Sequence, residues 1–128
     1  FFSSVPFLGE MTHKRELSKA KESFEDLSDF LTRFPESEHS GNAKQRMIYL
    51  RNLIAKQEIY VAEFYLERKA FVAALSRADY VLKHMPKTPQ VERAFEIMII
   101  AYQELGQDAL KADVEKALQT FRQNLNPS

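Results

Sequence analysis

AKESFEDLSDFLTRFPES at residues 20–37 and FVAALSRADYVLKHMPKT at residues 71–88 are two copies of one pattern in this chain of 128 residues. In each copy, apolar residues recur at spacings of three and four, which places their side chains on one face of an α-helix. Pro35 and Pro86 then interrupt the pattern, because a proline ring cannot continue the helical hydrogen-bond ladder. A hydroxyl residue follows each proline, at Ser37 and Thr88. The pattern predicts a repeated helix-turn-helix unit.

The remaining sequence has the same helical period, and no segment alternates between polar and apolar residues as a strand would. We therefore predict an all-α fold of tetratricopeptide-like helix-turn-helix repeats that form a short α-solenoid. The predicted organisation is an N-terminal loop remnant at 1–12, which contains Pro6 and Gly9, followed by tetratricopeptide-like repeats at 13–128, with helices at about 13–34, 43–69, 71–85, 90–105 and 108–125.

The second copy fits the tetratricopeptide pattern best. Ala62 and Tyr65 occupy positions where the first helix of such a unit needs a small residue and an aromatic residue, and Ala74 and Ala78 allow the paired helix to approach closely. Each unit buries one face against its neighbour and leaves other side chains free to contact a partner. This architecture is typical of proteins that bind other proteins.

The composition excludes several classes of function. Lysine plus arginine equals aspartate plus glutamate, 18 of each, so we expect no nucleic-acid binding, which depends on an excess of basic residues. The absence of cysteine excludes disulfides, thiolate catalysis and thiol-ligated metals. We expect no cofactor. Because the sequence begins Phe1-Phe2-Ser3-Ser4, we expect it to be part of a longer protein.

The residues with possible catalytic chemistry are few. His13, His39 and His84 do not have the spacing of metal ligands. Glu63 and Glu67 share a helical face and could form a metal or acid–base pair, which a hydrolase would require. We favour a solvated helix edge, on which Glu58, Glu63 and Glu67 pair with Lys56, Arg68 and Lys69. The sequence therefore predicts no enzyme.

The aromatic residues Tyr60, Phe64, Tyr65 and Phe71 could line a ligand cage, but at helical spacing we expect them to lie in the core. Three other side chains fall off the predicted core stripe, and their residue types are those that interfaces favour. These are the candidate partner-binding residues Arg68, Arg77 and Tyr80.

The stretch from Val61 to Thr88 resembles a known family. Its matching residues are Val61-Ala62-Glu63-Phe64-Tyr65, Arg68, Ala70-Phe71-Val72-Ala73, Arg77, Leu82 and Met85-Pro86-Lys87-Thr88. They resemble the BamD family, the tetratricopeptide lipoproteins (lipoprotein D) of the β-barrel assembly machinery in Gram-negative outer membranes. Phe34-Pro35-Glu36-Ser37 and Ala101-Tyr102-Gln103 extend the resemblance to the C-terminal part of that family.

The resemblance implies a scaffold at the periplasmic face of the cell outer membrane, anchored by lipid on an N-terminal cysteine outside this sequence. Its implied partners are the polypeptide-transport (POTRA) domain of the barrel subunit and accessory lipoproteins. The resemblance also implies that Arg77 is the arginine that contacts the POTRA domain. The predicted partner-binding residues are Arg77, Arg68, Tyr80 and Glu63. The sequence departs from the family at Lys69, where glycine is frequent, and at Met98-Ile99-Ile100.

A second hypothesis remains open from the residues alone. A generic tetratricopeptide adaptor binds peptide segments in its concave groove, and such a groove needs lysine and asparagine on the first helix of each pair. Lys44, Asn52 and Lys56 are the candidates for that role.

Overall fold

A computed structural model of the protein describes the backbone of residues 4–125 and the side chains of residues 15–125. Within this range the chain consists of helices and turns without a strand, which confirms the predicted all-α class. The helices are α1 (Ser4–Arg33), α2 (Ser40–Glu67), α3 (Phe71–His84), α4 (Val91–Glu104) and α5 (Asp108–Leu125). In the described part of the chain, none of these helices is long and apolar enough to cross a membrane.

The chain divides into two compact units, Phe1–Gln57 (unit 1) and Glu58–Ser128 (unit 2), and the division falls within α2. In unit 1, side chains from α1 and from the first part of α2 line shared grooves, and both helices contribute buried residues, among them Leu17, Ala20, Ala43, Leu50 and Ile54. In unit 2, α3 packs against α4 and α4 packs against α5. The core of unit 2 includes Val61, Ala62, Ala74, Ala78, Val81, Met85, Ala94, Ile97 and Leu118.

The two proline turns have the same backbone hydrogen bonds. The Ser40 N–H donates to the Ser37 carbonyl oxygen at 3.1 Å, and the Val91 N–H donates to the Thr88 carbonyl oxygen at 3.3 Å. Thr88 does not cap α4 with its side chain, however, because its buried hydroxyl donates to the carbonyl oxygen of Met85 at 2.9 Å. The hydroxyl therefore closes the end of α3 and not the start of α4.

The start of α1 differs from the predicted loop. Residues 4–12 are helical, although they contain Pro6 and Gly9. Pro6 lies in the first turn, where a backbone N–H has no partner within the helix and its loss costs little. An internal glycine costs only about 1 kcal/mol relative to alanine, which a helix of this length tolerates. The two residues were therefore weak indicators of a loop.

Two residues have left-handed backbone conformations. Gly106, with a φ of 71°, follows α4, and glycine is the residue that most often ends a helix in this conformation. Lys69, with a φ of 61°, lies in the short turn between α2 and α3. A side chain at this position strains the backbone, which explains why glycine suits it better.

The prediction that Tyr60 lies in the core is wrong, because its side chain is exposed. Phe34, Leu110 and Leu125 are also exposed. Phe34 lies just beyond the end of α1, where the chain turns away. In α5 the buried residue is Leu118, on the face that packs against α4.

Candidate functional site

The predicted docking residue Arg77 forms an ion pair inside unit 2. Its Nη1 donates to Glu58 Oε1 at 2.9 Å, which joins α3 to α2. The Glu58 side chain is 1% exposed and that of Arg77 is 24% exposed. A carboxylate this deeply buried requires a cation or several hydrogen bonds to offset its lost hydration. Arg77 supplies that cation while part of its side chain remains accessible.

Glu63 is held by an arginine of α4. Arg93 donates from Nη2 to Glu63 Oε1 at 2.7 Å and from Nε to Glu63 Oε2 at 3.0 Å. Both carboxylate oxygens are therefore occupied by one planar guanidinium, the strongest arrangement for such a pair. The bond to Glu63, followed by a weaker contribution from Glu96, raises the pKa of Arg93 against the opposing effect of its partial burial.

The Glu63–Arg93 pair belongs to a larger charged cluster on unit 2. Arg93 Nη1 lies 3.3 Å from Glu96 Oε1, and Arg122 Nη2 lies 3.6 Å from Glu96 Oε2. Arg122 Nε also donates to Glu92 Oε2 at 2.6 Å. Alternating signs thus connect α2, α4 and α5. We infer that the cluster mainly fixes these helices relative to one another.

The other two predicted residues have aromatic neighbours. Arg68, just beyond α2, stacks its guanidinium over the Phe64 ring, with Cζ 3.6 Å from the centroid, and its Nη1 donates to the Phe64 carbonyl oxygen. Tyr80 is half-buried on α3, and its ring centroid lies 4.6 Å from that of His84. Tyr80 and Arg77 are three residues apart in one helix, so they share a face. The structure therefore groups Arg77 with Tyr80 and places Arg68 at the α2–α3 turn.

The predicted carboxylate edge on α2 is only partly correct. Glu67 is exposed, but Glu58 and Glu63 pair with arginines of α3 and α4 and not with basic residues of their own helix. Within the described residues, no group of three or more histidine, cysteine, aspartate or glutamate side chains is arranged to hold a metal. Glu58 and Glu63 therefore act as ion-pair partners.

The candidates of the peptide-adaptor hypothesis lie on the first part of α2. Lys44 lines a groove that also contains Phe24, Met47, Ile48 and Arg51. Lys56 is exposed, and the Oδ1 atom of Asn52 is buried without a hydrogen-bond partner in the described part of the chain. The sequence analysis did not select Arg51. A basic side chain at a position of α2 where the helical period calls for an apolar residue would have indicated it.

Comparison with known proteins identifies the family. The family model for the outer membrane lipoprotein YfiO matches residues 3–118. Three curated relatives, each named outer membrane protein assembly factor BamD, come from Xylella fastidiosa strain Temecula1 (36% identical over 107 residues), Vibrio cholerae (34% over 113) and Neisseria meningitidis serogroup A (32% over 106). The matches cover 84%, 88% and 83% of this chain but only 36%, 45% and 40% of those proteins, so the chain spans less than half their length. Together with the helical repeats, these matches show that the chain belongs to the YfiO family of outer membrane lipoproteins.

Proposed function

We propose that this chain is a non-catalytic scaffold for the assembly of outer-membrane β-barrel proteins. Its curated relatives are named as assembly factors of outer membrane proteins, and neither their name nor the residues of this chain indicate an enzyme. In this proposal the full-length protein lies at the periplasmic face of the outer membrane and is held there by an N-terminal lipid anchor. This chain docks the POTRA domain of the barrel subunit and accessory lipoproteins.

The observation that carries the proposal is the state of Arg77. It is an arginine on a helix surface, fixed at one nitrogen by a buried carboxylate and still 24% exposed. A guanidinium held in this way retains N–H groups that match the two oxygens of a partner carboxylate. Little side-chain entropy is lost on binding, because the ion pair with Glu58 already orders the arginine.

The neighbouring residues complete the docking surface. Tyr80 adds a half-buried ring next to Arg77, and tyrosine and arginine are frequent at the centres of interfaces. Arg68 adds a cation that is already stacked on Phe64. Glu63 contributes indirectly, because Arg93 occupies both of its carboxylate oxygens and the pair stabilises α2, which ends just before Arg68.

The proposal is tested by titrating the chain with the purified POTRA domain nearest the barrel, using wild type and Arg77→Lys. Lysine keeps the positive charge beside Glu58 but lacks the planar fork, so the affinity is expected to fall about tenfold. Arg77→Glu is a poorer test, because it places a second carboxylate against buried Glu58 and is expected to lower stability as well. Arg122→Gln is the matched control, since it removes an arginine from a more exposed ion pair.

Binding of wild type and of Arg122→Gln with equal affinity, together with weaker binding of Arg77→Lys, supports the proposal. Equal affinity of all three proteins would show that the partner does not contact the guanidinium. If wild type does not bind the domain at all, the proposed docking function is wrong for this chain.

A further inference from the structure

We propose that unit 1 has a second docking surface, on the first part of α2, which accepts an amphipathic, acidic helical segment of a partner protein. The surface is the groove lined by Phe24, Lys44, Met47, Ile48 and Arg51, here called the α2 groove. It lies in unit 1 and is independent of the surface around Arg77. The proposal thus goes beyond the docking function above and does not depend on it.

The first support is an uncompensated charge. Residues 40–57 of α2, SGNAKQRMIYLRNLIAKQ, contain four basic residues and no acidic residue, although the whole chain has equal numbers of each. Among the described residues, none of these four cations has a carboxylate partner, whereas Arg77, Arg93 and Arg122 of unit 2 each have one. The four are Lys44, Arg46, Arg51 and Lys56. Lys44 and Arg51 lie seven residues apart on one face of α2, the face that lines the α2 groove. Two unpaired cations on one helix face attract a segment of opposite charge.

The second support is exposed apolar surface beside those cations. Ile48 is 48% exposed and Tyr49 is 58% exposed, and the Arg46 guanidinium lies 5.3 Å from the centroid of the Tyr49 ring. Nε of Arg51 and Oδ1 of Asn52 are buried without a hydrogen-bond partner in the described residues. Buried polar atoms normally have partners. The α2 groove therefore combines the exposed apolar side chain of Ile48 with the cations Lys44 and Arg51.

The internal repeat indicates what kind of segment fits. When the two repeats are aligned in sequence so that Pro35 matches Pro86, three residues of α2 match three residues of α4. Lys44 matches Phe95, Ile48 matches Ile99, and Arg51 matches Tyr102. In unit 2 this part of α4 is covered by α5: the rings of Phe95 and Phe121 lie 5.7 Å apart, and Ile99 shares a groove with Leu118 and Arg122. Unit 1 consists of α1 and the first part of α2, without a third helix in its described residues. The occupant we infer is a helix that takes the place of α5.

The replacement of Phe95 and Tyr102 by Lys44 and Arg51 sets the chemistry of that helix. In unit 2, Phe121 of α5 contacts the ring of Phe95. In the α2 groove the matching residue is Lys44, so the bound helix presents a carboxylate there and an apolar residue to Ile48. An anionic lipid surface could also attract the cations. A groove with apolar walls fits a single helix better than a flat bilayer surface, as in helix-in-groove recognition.

The probe is a labelled 18-residue peptide with the sequence of α5, residues 108–125, in which Lys111, Lys116 and Arg122 are replaced by glutamate. The control peptide keeps these three residues and replaces Asp108, Asp113 and Glu115 by lysine. Both are titrated into the full chain by fluorescence anisotropy at low and high salt. We expect the acidic peptide to bind at least about tenfold more tightly than the basic one, and less tightly when salt is added.

The test variants of the chain are Lys44→Glu and the double variant Lys44→Glu/Arg51→Glu. Lys44 is exposed, so its reversal is not expected to affect folding, whereas Arg51 is half-buried and the double variant is checked by thermal melting. Lys19→Glu is the matched control, because Lys19 is an exposed lysine on α1 in the same unit and lies outside the α2 groove. Affinity for the acidic peptide should fall about tenfold with Lys44→Glu and remain unchanged with Lys19→Glu.

Four results would overturn the proposal. They are equal binding of the acidic and basic peptides, unchanged binding by Lys44→Glu, no binding of the acidic peptide up to about 1 mM, and binding of phosphatidylglycerol vesicles in its place. Sedimentation velocity tests whether the α2 groove is instead occupied by a second copy of the chain. Self-association that increases with concentration and is abolished by Lys44→Glu would assign the α2 groove to a dimer contact.

Discussion

The ion pair between Glu58 and Arg77 makes a strong prediction about stability. The Glu58 carboxylate is 1% exposed, and Arg77 donates to it at 2.9 Å. Arg77→Met removes the charge but keeps a long, flexible side chain, so packing changes little while the carboxylate loses its cation. Breaking a buried pair by removing one partner costs about 3–5 kcal/mol, because the remaining charge stays buried without its counter-ion.

The reciprocal change is expected to cost less. Glu58→Gln keeps the side-chain length and an oxygen that can still accept a hydrogen bond from Arg77. Arg77 is 24% exposed, so water can solvate a guanidinium that has lost its anion. We therefore expect a loss of about 1–2 kcal/mol, the range for one hydrogen bond to a charged group.

Replacing both residues distinguishes a true pair from two independent effects. In Glu58→Met/Arg77→Met no buried charge remains, and replacing a buried ion pair by apolar residues is often neutral or stabilising. We expect this double variant to lie within about 1 kcal/mol of wild type and to be more stable than Arg77→Met alone. The second substitution then restores the stability that Arg77→Met loses, which is the coupling expected of residues in direct contact.

Urea unfolding followed by circular dichroism measures all four proteins. At about 3–5 °C per kcal/mol for a chain of this size, Arg77→Met should also melt some 10–20 °C below wild type. If Arg77→Met lost less than about 1 kcal/mol, the buried carboxylate would not depend on Arg77. A double variant less stable than Arg77→Met would refute the argument, because it would assign the stability to packing at each site.

Three further predictions concern single positions. Lys69→Gly should raise the free energy of unfolding by about 1 kcal/mol, because Lys69 has a φ of 61°, and a loss in urea unfolding would contradict the assigned strain. Gly106→Ala should lower the free energy of unfolding by about 1 kcal/mol, because Gly106 has a φ of 71°. Gly41→Ala should raise the free energy of unfolding by up to about 1 kcal/mol, because Gly41 lies in a helix with open space around it. The pKa of Lys83 is raised above 10.5, first by its hydrogen bond to Asp79 and then by the charge of Asp79. The Lys83–Asp79 pair therefore stabilises the fold below pH 10.5. This contribution is lost as the pH rises through the raised pKa of Lys83. NMR titration of the Lys83 side chain should show a lower pKa in Asp79→Asn, and an unchanged pKa would exclude Asp79 as its cause.

The sequence predicted the features that depend on local chemistry. Pro35 and Pro86 end helices because of their own covalent structure, and Gly106 ends α4 because a glycine adopts a left-handed backbone without strain. Apolar spacing identified the helices and the face of α3 that is buried. These signals lie within a few residues of the structure that they determine.

The candidate site was less predictable, because its partners are distant in sequence. Glu58 and Arg77 are 19 residues apart, and Glu63 and Arg93 are 30 apart. A helical period shows which side of a helix a glutamate occupies but not which helix will face it. The sequence therefore suggested nearby cations for Glu63, such as Arg68, whereas the actual partner lies on α4.

The two proline turns show why a repeated backbone need not imply a repeated function. Phe34 and Met85 occupy matching positions before the prolines, yet Phe34 is 55% exposed and Met85 only 2%. In unit 2, Arg77, Arg93 and Arg122 form ion pairs with carboxylates of the same unit. The apolar face of α4 is covered by α5. Unit 1 uses the same turn but leaves Phe34, Tyr49 and the cations of α2 without such cover. A surface with unsatisfied charge beside apolar side chains gains more from a partner than one whose groups are already paired, and for this reason we assign the second docking surface to unit 1.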